Sequence, residues 1–307
     1  MRFLLCVALA VVAAGQPPTP PVIVMSVWYN GPRLSPPQTL SPRVPNDTLR
    51  EDLATIKRAG FNGITTWISW RDGEPRRGEL DVAQLDRVVD LAREASLYVT
   101  IGVYTHEEPD WKKDGTNALA GAFYERVRDH FADRNDAMTV RFGASDAPSR
   151  VRLGASPPAL GPREARLEIW SAFVRGSRRW SFQADDAPRS PDLRAVGELA
   201  GLLTANQALF APLAARTANN SVNVEPAGGI SVHILESAEA IVIVGLNHTD
   251  RTRRVKLTFP EDLPEAIWQN MEAGNAVNFV AGPRGPSYEH TFSPQDSLVL
   301  AIRKRLR

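Results

Sequence analysis

Residues 61–104, FNGITTWISWRDGEPRRGELDVAQLDRVVDLAREASLYVTIGVY, restrict the fold of this chain more than any other segment. Positions 64–70 form an apolar run of β-branched and aromatic side chains, and Gly73, Pro75 and Gly78 then break it within one short loop. Leu80, Val82, Leu85, Val88, Val89, Leu91 and Ala92 recur at three- and four-residue spacing, which gives a helix one buried face. Asp81 stands near its start, where the helix dipole favours an anion. A second apolar run over 97–104 closes the unit. Two buried strands joined through an amphipathic helix must run parallel, with the helix packed on the sheet.

The same reading extends along the chain. A first strand over 22–28 precedes a Pro- and Ser-rich loop, 29–46, and a helix over 47–59. Beyond the central unit come a helix over 119–131, with Phe123, Val127 and Phe131 on one face, and a fourth strand over 137–142. After that the pattern thins: a short strand over 151–153, a helix over 162–176 with Ala165, Ile169, Ala172 and Phe173 inward, a closing strand over 179–182 and a helix over 193–213. From 219 onward short β-type runs alternate with turn residues, at 230–235, 240–247, 253–259, 266–269, 276–280, 288–292 and 297–303, which describes a small antiparallel sandwich.

With 307 residues the chain has enough length for a large core and one or two domains. Its net charge of +1 argues against a nucleic-acid surface, which needs a concentrated positive field. Arg2 followed by the apolar run 3–14 reads as a signal peptide, too short to span a bilayer, cleaved near Gly15. Export to a secreted or periplasmic location follows, with no membrane attachment after cleavage. The single cysteine, Cys6, lies in that run, so the mature chain has no disulfide or thiol chemistry. Residues 16–21 form a stiff Pro-rich lead-in. The five histidines lack ligand spacing, so no metal is expected. No phosphate loop, dinucleotide fingerprint or nucleophile elbow is present, so no cofactor is expected.

Trp67, Trp70, Glu74, Pro75, Gly78, Leu80, Asp81 and Leu85 stand as W-x-x-W-x-x-x-E-P-x-x-G-x-L-D-x-x-x-L. This resembles the second βα loop of clan A glycoside hydrolases, especially the β-galactosidase-like families. The stretch over 164–182, E-x-R-x-E-I-W-x-A-F-x-x-G-x-x-x-W-S-F, is similar to the last helix and strand of that clan. The resemblance implies a (β/α)8 barrel, which needs about 200 to 250 residues. Only 22–213 is on hand before the sandwich at 214–307. The expected fold is therefore α/β: a shortened or incomplete (β/α) TIM-type barrel, lacking two or three units, followed by a small antiparallel β-sandwich. Its open edge must be covered by loops or by a second copy of the chain.

Glycoside hydrolysis uses two carboxyl groups flanking the scissile bond. The resembled clan supplies glutamates at the ends of strands four and seven, the first preceded by Asn. Here the fourth strand ends V-R-F-G-A-S-D, with Asp146 the nearby carboxylate and no Asn-Glu pair, and 151–161 contains neither Asp nor Glu. Strand ends face the site in a barrel, which leaves Asp146, Glu107, Glu108 and Asp185 with Asp186 as catalytic candidates. Glu74 is placed in the substrate-binding set; it and Asp81 brace the loop through hydrogen bonds, against a catalytic role. Trp28, Tyr29, Trp67, Trp70, Tyr104, Trp111 and Trp180 fall at or just past strand ends, where flat rings stack on sugars or serve the core. Trp268 and Tyr288 offer a second platform in the sandwich, against a core role. Two functions remain open: an exported glycosidase acting on β-linked glycans, or a degenerate relative that binds carbohydrate after losing its acid/base groups.

Overall fold

The computed structural model describes residues 23–304 apart from 33, 35, 37, 113–117, 133, 135–137, 143–148, 155–158, 185–186, 218–219 and 265, and for 138–142 and 149–150 it describes the strand backbone. The signal segment, the lead-in, Cys6, Asp146, Asp185 and Asp186 lie outside the described residues.

The first two-thirds of the chain alternates strands and helices: β1 (Val24–Trp28), α1 (Asn46–Arg58), β2 (Gly63–Ser69), α2 (Trp70–Gly73), α3 (Ala83–Glu94), β3 (Tyr98–Tyr104), α4 (Ala118–His130), β4 (Met138–Phe142), β5 (Ser149–Leu153), α5 (Pro162–Val174), β6 (Arg179–Ala184), α6 (Pro191–Ala205) and α7 (Gln207–Phe210). The expected single helix over 193–213 is two helices. Asn206 ends α6 by donating its side-chain amide to the Leu202 carbonyl at 2.9 Å, and the chain restarts as α7.

The six strands form one all-parallel sheet in the order β4-β3-β2-β1-β6-β5. β1 sits between β2 and β6, so the last strand returns beside the first, as in a barrel, while β4 and β5 form the two edges. Only six residues separate Phe142 from Ser149, so these two lie within about 25 Å of each other. In a flat sheet they would stand about 24 Å apart across the strands and roughly 20 Å apart along them, some 31 Å in all. The covalent tether therefore requires the edges to curl toward one another. Eight strands close a barrel of this kind; among the described residues β4 and β5 are not paired with each other. Part of the outer edge of β5 is covered by its own chain: Leu160 donates to the Arg152 carbonyl at 2.8 Å and accepts from Gly154 at 3.1 Å.

Period-two alternation sorts the side chains of this sheet. Ile23, Met25, Val27, Ile64, Ile68, Val99, Ile101, Val103, Trp180 and Phe182 face the helices and join one continuous core. α1 and α6 meet without side chains between them at one point: a Cβ on Gly197 would lie 2.1 Å from the Ala59 carbonyl oxygen, and one on Gly60 2.4 Å from the Gly197 oxygen. Backbone against backbone cannot yield, so Gly197→Ala should cost about 1–3 kcal/mol through overpacking, read as a lower urea midpoint at unchanged slope.

The C-terminal strands are β7 (Ala214–Ala215), β8 (Asn223–Glu225), β9 (Ile230–Glu236), β10 (Ala240–Asn247), β11 (Arg253–Thr258), β12 (Ile267–Asn270), β13 (Ala276–Asn278), β14 (Ser287–Phe292) and β15 (Ser297–Arg303); β9 to β15 lie close to the expected intervals, whereas the short β7 and β8 were not expected. They make two antiparallel sheets, β13-β12-β15-β10-β9-β7 and β14-β11-β8. β10 is apolar on both faces because both are covered. Val242, Val244 and Leu246 join the core of the first sheet and its helices, whereas Ile241 and Ile243 face the second C-terminal sheet with Trp268 and Phe292. Trp268 is fully buried and stacks on Phe279 at 5.1 Å, so it serves the core and not a sugar platform. Glu272 ties the two halves together by accepting from Arg166 at 2.8 Å, Trp170 Nε1 at 3.1 Å and Ser297 Oγ at 2.7 Å.

Candidate functional site

The carboxyl ends of β1, β2 and β3 hold three inward-facing rings. Register sets their arrangement: Trp28 pairs with Thr65, Trp67 with Gly102, and Ser69 with Tyr104. Each ring therefore stands one inward position higher than its neighbour, forming a staircase across three strands. Trp28 and Trp67 have ring centroids 5.8 Å apart, and the three rings form a cluster separate from the helix-side core. Leu34 packs on the cluster, and the Gln38 carbonyl accepts from Trp67 Nε1 at 2.9 Å. All three rings are less than 10% exposed beneath this loop. Ser26, Thr65 and Ser181 lie lower on the same face, and Ser26 and Thr65 share a 2.9 Å hydrogen bond.

The other aromatic candidates face elsewhere. Tyr29 and Trp180 occupy outward positions: Tyr29 donates to Asp52 at 3.0 Å, and Trp180 stacks on Phe173 at 6.5 Å. Burial, then the neighbouring Asp52 carboxylate, push the Tyr29 hydroxyl far above the usual phenol range. Trp70 is fully buried between Phe123 and Trp111. Strand parity explains these corrections, since adjacent residues at a strand end point to opposite faces.

Trp70, Glu74 and Trp111 form a brace in place of a binding platform. Glu74 is buried, and its carboxylate accepts from Trp70 Nε1 at 2.7 Å, from the Gly78 amide at 2.6 Å and from Arg126 of α4 at 2.6 Å. Its backbone carbonyl accepts from Trp111 Nε1 at 2.7 Å. Gly78 adopts φ +84°, which lets the loop turn its amide back onto the carboxylate. Burial alone would raise the Glu74 pKa, but the bonds from Gly78, Trp70 and Arg126 outweigh it and hold the group below the usual carboxylate range. The W-x-x-W-x-x-x-E-P-x-x-G pattern is thus a device that locks the β2 loop to α4 and to the β3 loop.

Glu107 and Glu108 follow β3. Arg71 holds them both: its amide donates to the Glu107 carbonyl at 2.9 Å, its Nε to the Glu108 carbonyl at 3.2 Å, and its Nη1 lies 3.5 Å from the Glu107 carboxylate. His106, largely exposed, lies 3.9 Å from Glu107. Glu108 pairs with Lys112, whose ammonium lies 5.3 Å from the Trp70 ring centroid. Among the described residues, no inward position of β1, β2, β3, β5 or β6 carries Asp or Glu. Glu164 caps its own helix, accepting from the Gly161 amide at 2.8 Å.

Beside the staircase is a cavity of about 160 Å³ lined by Asn30, Thr39, Leu40, Trp67, Ile68, Asp72, Asp81, Gln84 and Leu85. Sequence reasoning missed Asn30, Asp72 and Gln84 as site residues. The signal for Asp72 was present in Ser69-x-x-Asp72, where the two side chains bond at 2.6 Å. No group of three or more His, Cys, Asp or Glu among the described residues could hold a metal ion.

A β-galactosidase family model matches residues 40–140. Beta-galactosidase-1-like protein 3 of Homo sapiens is 37% identical over 73 residues, covering 22% of this chain and 11% of that protein. Beta-galactosidase LacA of Lactobacillus acidophilus is 30% identical over 93 residues, covering 30% of this chain and 14% of that protein. The chain thus spans a small part of the length of the curated relatives it matches. Among solved structures, a family 39 glycoside hydrolase from Bacteroides cellulosilyticus WH2 aligns with TM-score 0.53 and 9% identity over 92% of this chain and 81% of that one. An α-amylase from Geobacillus thermoleovorans aligns with TM-score 0.56 and 9% identity over 94% of this chain and 100% of that one. At such identity the likeness is one of fold. Residues 40–140, which include the loop motif, are thus similar to the β-galactosidases, and the α/β architecture is shared with solved glycoside hydrolases.

Proposed function

We propose that this protein is an exported carbohydrate-binding relative of the β-galactosidases that holds β-linked glycans at the strand ends and has lost the machinery to cleave them. One observation carries this reading: the inward face presents Trp28, Trp67 and Tyr104 side by side with no carboxylate among its described residues. Flat rings suit the apolar faces of sugars, whereas hydrolysis needs two opposed carboxyl groups. Engagement requires Leu34 and the Gln38 carbonyl to withdraw from the rings. Arg2 with the apolar run after it supports export.

A second reading, a weakly active glycosidase, is favoured by Glu107, whose carboxylate lies beside His106 at the end of β3. Affinity electrophoresis in a gel containing β-galactan should retard the full chain, and Tyr104→Leu should reduce the retardation. Under the same conditions 4-nitrophenyl β-D-galactoside should show no turnover above buffer. Robust turnover abolished by Glu107→Gln would establish the second reading.

A further inference from the structure

We infer that the cavity bounded by Asn30, Trp67, Asp72, Asp81 and Gln84 binds a single neutral hexopyranose ring, as a subsite set off from the strand-end face. This rests on the carbohydrate-binding reading above and deepens it. The loop closes so as to put both carboxylates on one wall: the Asp81 amide donates to the Gly73 carbonyl at 2.9 Å, which brings Asp81 next to α2 and hence to Asp72. Asn30 is fully engaged by Thr66 and by the Gln38 and Trp67 carbonyls, whereas Asp72, Asp81 and Gln84 are each half committed. Asp72 accepts from Ser69 Oγ at 2.6 Å, Asp81 from the Ala83 amide at 3.3 Å, and the Gln84 carbonyl from Arg87 at 2.6 Å. Among the described residues, the second oxygen of each carboxylate and the Gln84 amide nitrogen have no protein partner.

That set offers acceptors for ring hydroxyls and one donor for a hydroxyl or ring oxygen. Leu40, Ile68, Leu85 and Trp67 supply an apolar floor for the C–H face. Convergent polar groups over an apolar floor are the general form of a small-molecule site. Size decides between a ring and a chain: about 160 Å³ is roughly half the lower end of ordinary ligand pockets, near 300 Å³, so an oligosaccharide reaches this place with one residue only. The two carboxylates also disfavour an anionic sugar. Unlike the covered staircase, this cavity is already formed.

Calorimetric titration of the full chain with D-galactose and with a β-1,4-linked galactotetraose tests the assignment. The wild type should bind both. The double variant Asp72→Asn/Asp81→Asn and, separately, Gln84→Leu should each weaken galactose binding at least about tenfold, the loss of one good polar contact. These side chains are exposed or half-buried, so thermal melting should stay close to wild type. If the tetrasaccharide binds but neither sugar responds to these variants, the subsite is overturned and the strand-end reading stands. Galactose binding lost in Tyr104→Leu yet intact in the double variant also overturns the subsite. If the wild type binds neither sugar, both readings fall.

Discussion

Glu74→Ala should destabilise the protein by about 3 kcal/mol, at the lower end of the range for removing one partner of a buried ion pair. Three donors lose their acceptor at once: Trp70 Nε1, the Gly78 amide and Arg126. Trp70 is fully buried, so its N–H cannot turn to water, whereas Arg126 is one-third exposed and can. The shift in melting should be about 5 °C for a chain of this size. Glu74→Gln should cost less, because its amide oxygen still accepts. The two variants also differ from wild type in acid. A carboxyl held below its ordinary value near 4.5 stabilises the fold fully above that value, and its contribution fades as pH falls through the folded value. Stability measured from pH 6 downward should therefore fall more steeply for wild type than for Glu74→Gln. Parallel curves would show that Glu74 is not the charged hub described here.

The second large effect is expected at Arg178. Its guanidinium lies 4.1 Å from the Phe173 ring centroid and donates to the carbonyls of Phe173 at 3.0 Å, Ser177 at 2.8 Å and Ala211 at 3.3 Å, and to that of Leu213. These carbonyls belong to the end of α5 and to the turn after α7, the places where helices leave acceptors unsatisfied. One side chain thus ties the end of α5 to the passage into the C-terminal sheets. Burial lowers the Arg178 pKa, but the group stays charged because an arginine starts so high. Arg178→Ala should cost about 3 kcal/mol, from the loss of its bonds to four carbonyls and of a ring contact. Arg178→Lys should recover only part of this, since an ammonium cannot present donors in a planar fork. Guanidinium titration followed by tryptophan fluorescence gives both values. A loss under about 0.5 kcal/mol, the level of ordinary surface substitutions, would mean that water replaces the side chain freely.

Much of the fold was legible from periodicity. The unit over 61–104 carried its own proof, since two apolar strands and a one-faced helix can be assembled in only one way. The C-terminal strands from β9 on were equally plain because turn residues mark their boundaries, whereas β7 and β8, of two and three residues, are too short to show a period. What could not be read was the break at Asn206, where one side chain competes for a helical carbonyl, and the manner in which six strands share a curved sheet. The aromatic candidates show the same division. Seven rings at strand ends look alike in a sequence, yet Trp28, Trp67 and Tyr104 turn inward while Tyr29, Trp70 and Trp180 turn toward the helices.

The amino-acid order alone therefore determined the alternation of strands and helices, the change to antiparallel sheets near residue 219 and the likeness carried by the β2 loop. These depend on local spacing and on turn chemistry, which neighbouring residues supply. Only the tertiary structure decided that the motif glutamate is a brace, that three rings rise as a staircase and that Asp72 and Asp81 line one cavity. Those outcomes depend on strand register and on a loop closing over nine residues, where a shift of one position would turn each side chain to the opposite face.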